Sequence, residues 1–365
     1  MSVLDTFEKI DRHSAARSHR IIFATVAAIL ATTIFLVVGV CMLPHDRYLR
    51  FKSSTAPEFA KYGWIYERIH FDKRPIDVAF IGSSCTMLAV NSALVEQSFA
   101  DASGHAMNVV NFSHADPGRD MDYLIARELM ENARPRLLVI EVGEIEGGRL
   151  HPAFESLAEP SDLLKAPLLV NSSYFTNLLH LPSRQLSLSV RTMAPEPFGD
   201  SVQFNPATYR GLHWDNPELE IGGSFRPNVY DSTTSESELK ANQLRRAKVM
   251  WAPNPHLPLA IQAELRRLKP RASLIYVAKV LDLAKQLRVP VRFLHLPAWR
   301  EHAAPMHADF YQRHAPMWSY PGDVDRIDWW YDSIHLNRNG SIAFSDWLGK
   351  RLAEDLQNEQ PASAR

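Results

Sequence analysis

Three side chains near opposite ends of the 365-residue chain have the types needed for nucleophilic catalysis. Ser84 lies in the stretch GSSCT (82–86), directly after an apolar run, and Asp332 and His335 lie in the stretch DSIH (332–335). Serine is a poor nucleophile unless a base is within hydrogen-bond reach, and a histidine base needs a group that fixes its tautomer. The three-residue spacing lets Asp332 reach one ring nitrogen while the other faces a nucleophile. These residues predict a catalytic triad in the order serine, aspartate, histidine.

The two neighbours of Ser84 are alternative nucleophiles. Ser83 carries the same hydroxyl, and Cys85 carries a thiol. Small buried cysteines are common in protein cores, so Cys85 need not react. Ser84 itself has a non-catalytic interpretation, since a turn serine can simply cap the helix that follows it.

The stretches around these residues alternate between strand and helix patterns. Predicted strands cover 76–81, 107–112, 136–142 and 291–296, and predicted helices cover 87–100, 119–132, 272–287 and 341–356. Nearly continuous apolar strands that alternate with helices indicate a parallel sheet covered on both faces. A serine after the first strand then lies at the carboxyl edge of the sheet, where such folds bind ligands. We expect a three-layer α/β domain whose last helix faces inward with Ile342, Trp347, Leu348 and Leu352.

The middle of the chain interrupts this alternation. Residues 194–258 contain eight prolines, and the pattern from 147 to 269 is that of an insertion rather than a sheet core. Within it, Ser235 and Glu238 have the spacing of a capping box for a helix that reaches Met250. We expect this insertion to contribute a binding surface, and residues 357–365 to form a polar tail.

The N-terminal part predicts a membrane anchor. Residues 21–43 carry no charge over 23 positions, about 35 Å of helix, against about 30 Å for a bilayer core. Basic residues precede this run, which favours a cytoplasmic N-terminus at 1–20 and export of the rest. The run is longer than the apolar part of a cleavable signal, and no small-residue cleavage site follows it. The prediction is a single span in the inner (cytoplasmic) membrane, a stalk or a first helix of the domain at 44–74, and a periplasmic domain.

Composition excludes several classes of function. Forty basic against 41 acidic side chains leave a net charge of −1, which disfavours binding to nucleic acid. Two cysteines exclude a disulfide framework and a cysteine-based zinc site. His302, His307 and His314 have no recognisable metal-ligand spacing, and His295 in a strand is expected to be a core residue. We therefore expect neither a metal nor a cofactor.

At the two chemical stretches the chain resembles the SGNH, or GDSL-type, hydrolase superfamily. FIGSSCT resembles the family's first block, with Ser83 where the family has aspartate, and DSIHLNRNG resembles its last block. The resemblance implies a flavodoxin-like fold over 75–146 and 270–356, with Ser84 as nucleophile, His335 as base and Asp332 as its orienter. It also implies that the backbone N–H groups of Ser84 and Gly118 bind the oxyanion.

Two blocks depart from the family pattern. The second block, from Asn111 to Gly118, is longer than usual. The third block, Gly-x-Asn-Asp in the family, is GEIE (143–146) here, so the asparagine of the oxyanion hole is missing. Loss of one such donor costs about 100-fold or more in rate. We therefore expect slow hydrolysis.

An exported, singly anchored protein with these changes resembles the branch that acylates polysaccharides outside the cytoplasm, including alginate O-acetylation and teichoic acid D-alanylation proteins. That branch works beside a multi-span membrane acyltransferase that delivers the acyl group. The resemblance therefore implies an O-acyltransferase with such a partner and a polysaccharide acceptor. Two alternatives remain open: an esterase that uses the same triad on carbohydrate or lipid esters, and a non-catalytic glycan-binding scaffold.

Further side chains near the triad each have two interpretations. The aromatic run Trp329, Trp330, Tyr331 either packs in the core or stacks on a sugar ring. Arg119 either binds an anionic substrate or lies on a helix surface. The acidic residues around the third block either line the pocket or end a strand; they are Glu141, Glu144 and Glu146.

Overall fold

A computed structural model describes residues 3–53, 59–143, 150–167, 171, 173–211, 233–250 and 259–359. The chain divides into two compact units. One comprises Met1–Asp46 and Phe175–Asp200, and the other comprises Arg47–Tyr174 and Ser201–Arg365. Much of the expected insertion, and the third-block residues Glu144 and Glu146, lie outside the described residues.

A five-stranded parallel sheet forms the centre of the larger unit, which confirms the predicted α/β class. Its strands are β1 Val78–Ile81, β2 Val109–Asn111, β3 Leu137–Glu141, β4 Val291–His295 and β5 Met317–Ser319. Their order is β2-β1-β3-β4-β5, the order of doubly wound flavodoxin-like sheets. Because β2 and β3 lie on opposite sides of β1, the order reverses at β1. The crevice outside the carboxyl ends of β1 and β3 is where such sheets bind ligands.

The helices connect these strands and complete the smaller unit. They are α1 Val3–Cys41, α2 Arg47–Lys52, α3 Lys61–His70, α4 Ser84–Ala89, α5 Ser92–Ser103, α6 Arg119–Asn132, α7 Phe154–Leu157, α8 Pro160–Leu164, α9 Tyr174–Met193, α10 Glu236–Met250, α11 Leu259–Leu287, α12 Ala308–His314 and α13 Arg338–Glu359, with 3-10 turns at Glu196–Phe198 and Ile327–Trp329.

Burial of both sheet faces positions the strands. On one face, Val78 and Phe80 pack in a core with Phe99 of α5 and Phe344 of α13. On the other, α6 contacts β1 and α11. Helices α5 and α13 approach so closely that a Cβ at Gly349 would lie 2.7 Å from the Val95 carbonyl oxygen. This approach holds α13 firmly against α5.

Several predicted elements end elsewhere. The helix expected at 87–100 is two helices, because the side chain of Asn91 accepts a hydrogen bond from Leu94 N–H and starts α5 there. The expectation that Ile342 faces inward is wrong: it is 45% exposed, and Phe344 takes the inward position. The capping box of Ser235 and Glu238 is confirmed at the start of α10.

Of the two alternatives for 44–74, a stalk or a first helix of the domain, the described helices α2 and α3 agree with the second. Helices α2 and α3 bury most of their side chains within the larger unit. Lys61 is buried, and its Nζ donates to the carbonyl oxygens of Asn111 and Ser113 after β2. The mixture of aromatic and charged residues concealed this role, because buried cations and aromatic pairs leave no simple apolar period.

Helix α1 contains one stretch, Arg20–Cys41, that is long and apolar enough to cross a membrane by length and composition. All of its side chains from 20 to 39 are exposed, so no described part of the chain covers it. A soluble core helix would be buried by its own domain.

Candidate active site

The structure brings together the three residues that the sequence assigned to a triad. Ser84 is the first residue of α4, at the carboxyl end of β1, and its Oγ lies 2.8 Å from Nε2 of His335. On the other side of the ring, Nδ1 lies 2.8 Å from Oδ2 of Asp332. Each distance is that of a good hydrogen bond. The arrangement can activate a serine hydroxyl by proton transfer to an oriented imidazole.

The loop that carries His335 is held in place by its own aspartate. Oδ1 of Asp332 accepts hydrogen bonds of 2.9 Å from the backbone N–H groups of Ile334 and His335. Tyr331 N–H donates to the His335 carbonyl, and Trp330 and Leu336 form an antiparallel bridge across the loop. Asp332 therefore fixes both the backbone and the ring of His335.

The charges of this pair favour an ionised carboxylate beside the imidazole. Burial raises the pKa of Asp332, but hydrogen bonds from His335 and Ile334 and the charge of His335 outweigh it and lower that pKa. Burial lowers the pKa of His335, whereas its interactions with Cys85 and Asp332 raise it to about 10. Cys85 therefore influences the pKa of the same imidazole that Ser84 contacts.

Glu141 holds the turn that carries the nucleophile. This buried carboxylate at the end of β3 accepts hydrogen bonds from the N–H and Oγ of Ser83, at 2.7 and 2.8 Å, and from the N–H and Oγ1 of Thr86, at 3.3 and 2.6 Å. The sequence offered two interpretations of Glu141, pocket lining or strand end, and neither included this positioning role. The only sequence signal for the role is an acidic residue at the end of a buried strand.

Glycine is required where Glu141 meets the turn. A Cβ at Gly82 would lie 2.5 Å from the Cβ of Glu141, closer than two such carbons approach. Ser83 also makes hydrogen bonds within this turn, because its Oγ accepts a hydrogen bond from Cys85 N–H as well. Ser83 therefore binds the turn rather than facing His335.

The second block follows β2 and is fixed by buried polar side chains. The Nδ2 of Asn111 donates to the carbonyl oxygens of Thr86 and Val90, at 3.1 and 2.9 Å, which ties the block to the end of α4. Gly118 precedes α6, and a Cβ there would lie 2.6 Å from the Cβ of His151. The N–H of Gly118 as an oxyanion donor stays a prediction.

Arg119 is engaged within the protein. Its Nη1 donates to Asp122 and to the Glu141 carbonyl, and its Nη2 donates to the Gly143 carbonyl. The guanidinium thus joins the start of α6 to the end of β3. Among the described residues, no three His, Cys, Asp or Glu side chains are grouped as metal ligands would be.

The aromatic run has different roles along its length. Trp330 is fully buried in the core, and its Nε1 donates to the Val324 carbonyl, so it packs rather than binding a sugar. Tyr331 is half-buried beside Asp332, and Arg326 lies over the ring of Trp329, 4.7 Å from its centre. His295 is a buried histidine whose Nδ1 lies 2.9 Å from Ser319 Oγ, as expected of a core residue.

No family model matches the chain, and a search of curated proteins finds no match. The interpretation of the site therefore comes from its own geometry.

Glu141→Gln should slow reaction at Ser84 without unfolding the protein. The amide turns one hydrogen-bond acceptor into a donor that faces the donors of Ser83 and Thr86, and hydrogen bonds to charged groups contribute about 1.5–3 kcal/mol each. We expect labelling by a serine-directed fluorophosphonate to fall about tenfold or more. Thr86→Val, which removes one donor, should lose less. The exposed Glu131→Gln is the matched control, and unchanged labelling of Glu141→Gln with an intact fold would contradict the assignment.

Cys85→Ala should shift the pH dependence of activity towards lower pH. Ser84 needs the neutral form of His335, so activity rises with pH through the pKa of that imidazole. The variant removes the interaction with Cys85 that helps to raise this pKa, and the loss of one such neighbour shifts a pKa by about one pH unit. The acid limb of the rate profile for an activated ester should therefore move down by that amount. Complete loss of activity would instead make Cys85 the nucleophile.

Proposed function

We propose that this protein is an SGNH-like serine O-acyltransferase, anchored by α1 with its larger unit outside the cytoplasm. It transfers an acyl group, acetyl in the simplest case, to a hydroxyl of an exported polysaccharide. The observation that carries the proposal is the contact of Ser84 Oγ with His335 Nε2, with Asp332 on the opposite ring nitrogen. The strand order supports it, since flavodoxin-like sheets place their sites at this edge.

In the first half-reaction, Ser84 Oγ attacks the carbonyl carbon of an acyl ester while its proton moves to His335 Nε2. The tetrahedral intermediate then collapses, the bond to the leaving alcohol breaks, and His335 returns the proton to that alcohol. An acyl ester on Ser84 remains. Asp332 keeps Nδ1 protonated and stabilises the transient imidazolium.

In the second half-reaction, an acceptor hydroxyl gives its proton to His335 and attacks the Ser84 ester. Collapse releases the acylated acceptor, and His335 returns the proton to Ser84 Oγ. Three N–H groups of the turn, those of Ser83, Cys85 and Thr86, already have protein acceptors. The N–H of Ser84 is at the first helical position, where no intrahelical acceptor exists, so it is suited to the oxyanion.

Transfer is favoured over hydrolysis by the altered third block. The asparagine donor is missing from its sequence, so reaction with unpositioned water should be slow. An acceptor sugar held in near-attack geometry overcomes this disadvantage, because binding gives its hydroxyl an effective concentration far above that of water. One span does not carry an acyl group across a membrane, so the proposal includes a multi-span acyltransferase as partner.

Variants of the triad test the chemistry. Ser84→Ala and His335→Ala should each reduce turnover of an activated ester by about 10⁴-fold or more, and Asp332→Asn should approach this loss because it disturbs the tautomer of His335. Ser84→Ala should abolish phosphonate labelling at position 84, and His335→Ala should strongly reduce it, because the phosphonate reacts with the activated hydroxyl. Ser187→Ala, at an exposed position of α9, is the control. A fully active Ser84→Ala protein would remove Ser84 from the mechanism.

Acceptor dependence tests transfer. With an activated acetyl ester, the purified full-length protein should turn over slowly, and an oligosaccharide of the right class should speed ester cleavage and yield acetylated sugar detected by mass spectrometry. Rapid hydrolysis with no acetylated product across a panel of glycans would favour the esterase. Absence of both turnover and phosphonate labelling would favour the scaffold.

A further inference from the structure

Helix α9 has an apolar side whose side chains are exposed. Five apolar side chains on it are between 38% and 78% exposed: Phe175, Leu179, Leu186, Val190 and Met193. At 3.6 residues per turn they fall within an arc of about 60°. Single exposed apolar residues are ordinary, but five on one helical stripe are not.

The other sides of α9 differ in character. Its buried side carries Leu181, Gln185 and Leu188. The side next to the exposed apolar stripe carries polar side chains that are also exposed: Thr176, His180, Ser183 and Ser187. The helix is therefore amphipathic on its exposed surface, with an apolar half and a polar half. That is the pattern of a helix that lies at a boundary between an apolar medium and water.

Two hydrogen bonds place α9 at the end of the apolar stretch of α1, within the same compact unit. Gln185 Nε2 donates to the carbonyl oxygen of Cys41, the last residue of α1, at 3.2 Å. Five residues later, Asp46 N–H donates to Thr192 Oγ1 at 2.9 Å. The side chains of α1 from 20 to 39 stay exposed, so α9 meets only the end of that stretch and does not pack along it.

We propose that α9 lies in the surface of the membrane, with its apolar stripe buried among lipid headgroups and upper acyl chains. This rests on the proposed membrane anchor, since the end of a spanning helix is at the height of the headgroups. The exposed apolar stripe belongs to the same compact unit as the exposed apolar surface of α1, and α9 is bonded to the end of that helix. A lipid surface is therefore the occupant that both features share, and α9 gives the chain a second membrane contact, within residues 174–193.

Quenching of a dye in the full-length protein tests this in liposomes. In a Cys41→Ala, Cys85→Ala background, an environment-sensitive dye is attached at Leu179→Cys on the apolar stripe or at Ser187→Cys on the polar side. Because such helices lie about 5–10 Å into the headgroup boundary, the dye at 179 should be quenched at least about twofold more by a lipid nitroxide near the headgroup than by aqueous iodide. The dye at 187 should show the reverse preference.

A dye at a third position tests the membrane anchor independently of the proposal for α9. A dye at Ile29→Cys, in the middle of the apolar stretch, should be quenched by a nitroxide at the bilayer centre. If it is, and iodide quenches position 179, only the proposal for α9 is overturned. If position 179 is shielded from both quenchers, protein covers the stripe, which also overturns it. If the bilayer-centre nitroxide fails to quench position 29, the anchor and the proposal for α9 fail together.

Discussion

The carboxylate of Glu141 is the contact on which the arrangement of the site depends. A buried carboxylate is costly unless it is paired and hydrogen-bonded, and here the backbone and hydroxyl groups of Ser83 and Thr86 supply those hydrogen bonds. The parallel pairing of β1 with β3 brings the two segments to the same edge of the sheet. The turn that carries Ser84 is therefore defined by a partner on the neighbouring strand as well as by its own sequence.

The imidazole of His335 contacts this turn although it is 251 positions away from Ser84 along the chain. Helix α13 connects the two segments. Ser341 and Ser345 of α13 both donate to the Ala89 carbonyl at the end of α4, and Ser345 Oγ accepts from Asn91 N–H. The helix that begins after His335 is thus bonded to the helix that begins with Ser84. Close packing of α13 on α5 makes this link stiff, so the Ser84 hydroxyl and the His335 imidazole are held at hydrogen-bonding distance.

The sequence predicted those features of the fold that depend on local residue patterns. Four strands were found because buried parallel strands are continuously apolar, and α6 was predicted with its observed ends. The triad followed from residue types and order. The missed features all depend on distant partners: β5 has three residues, Glu141 pairs with groups 55 to 58 positions away, and Trp330 differs from a sugar-stacking tryptophan only in what surrounds it. Sequence periodicity does not report such distant partners, so it does not distinguish the two interpretations of Trp330.

A negative charge directly behind Ser84 would oppose an oxyanion if it were uncompensated, and the buried groups around it provide the compensation. The Arg119 guanidinium bonds to the Glu141 carbonyl and to Asp122. Asp122 in turn pairs with His114, whose two ring nitrogens both face oxygen acceptors; burial lowers the pKa of His114, but these partners raise it overall. Charges of alternating sign therefore run from Glu141 through Arg119 and Asp122 to His114. Their mutual cancellation lowers the electrostatic cost of burying the Glu141 carboxylate that holds the turn with Ser84.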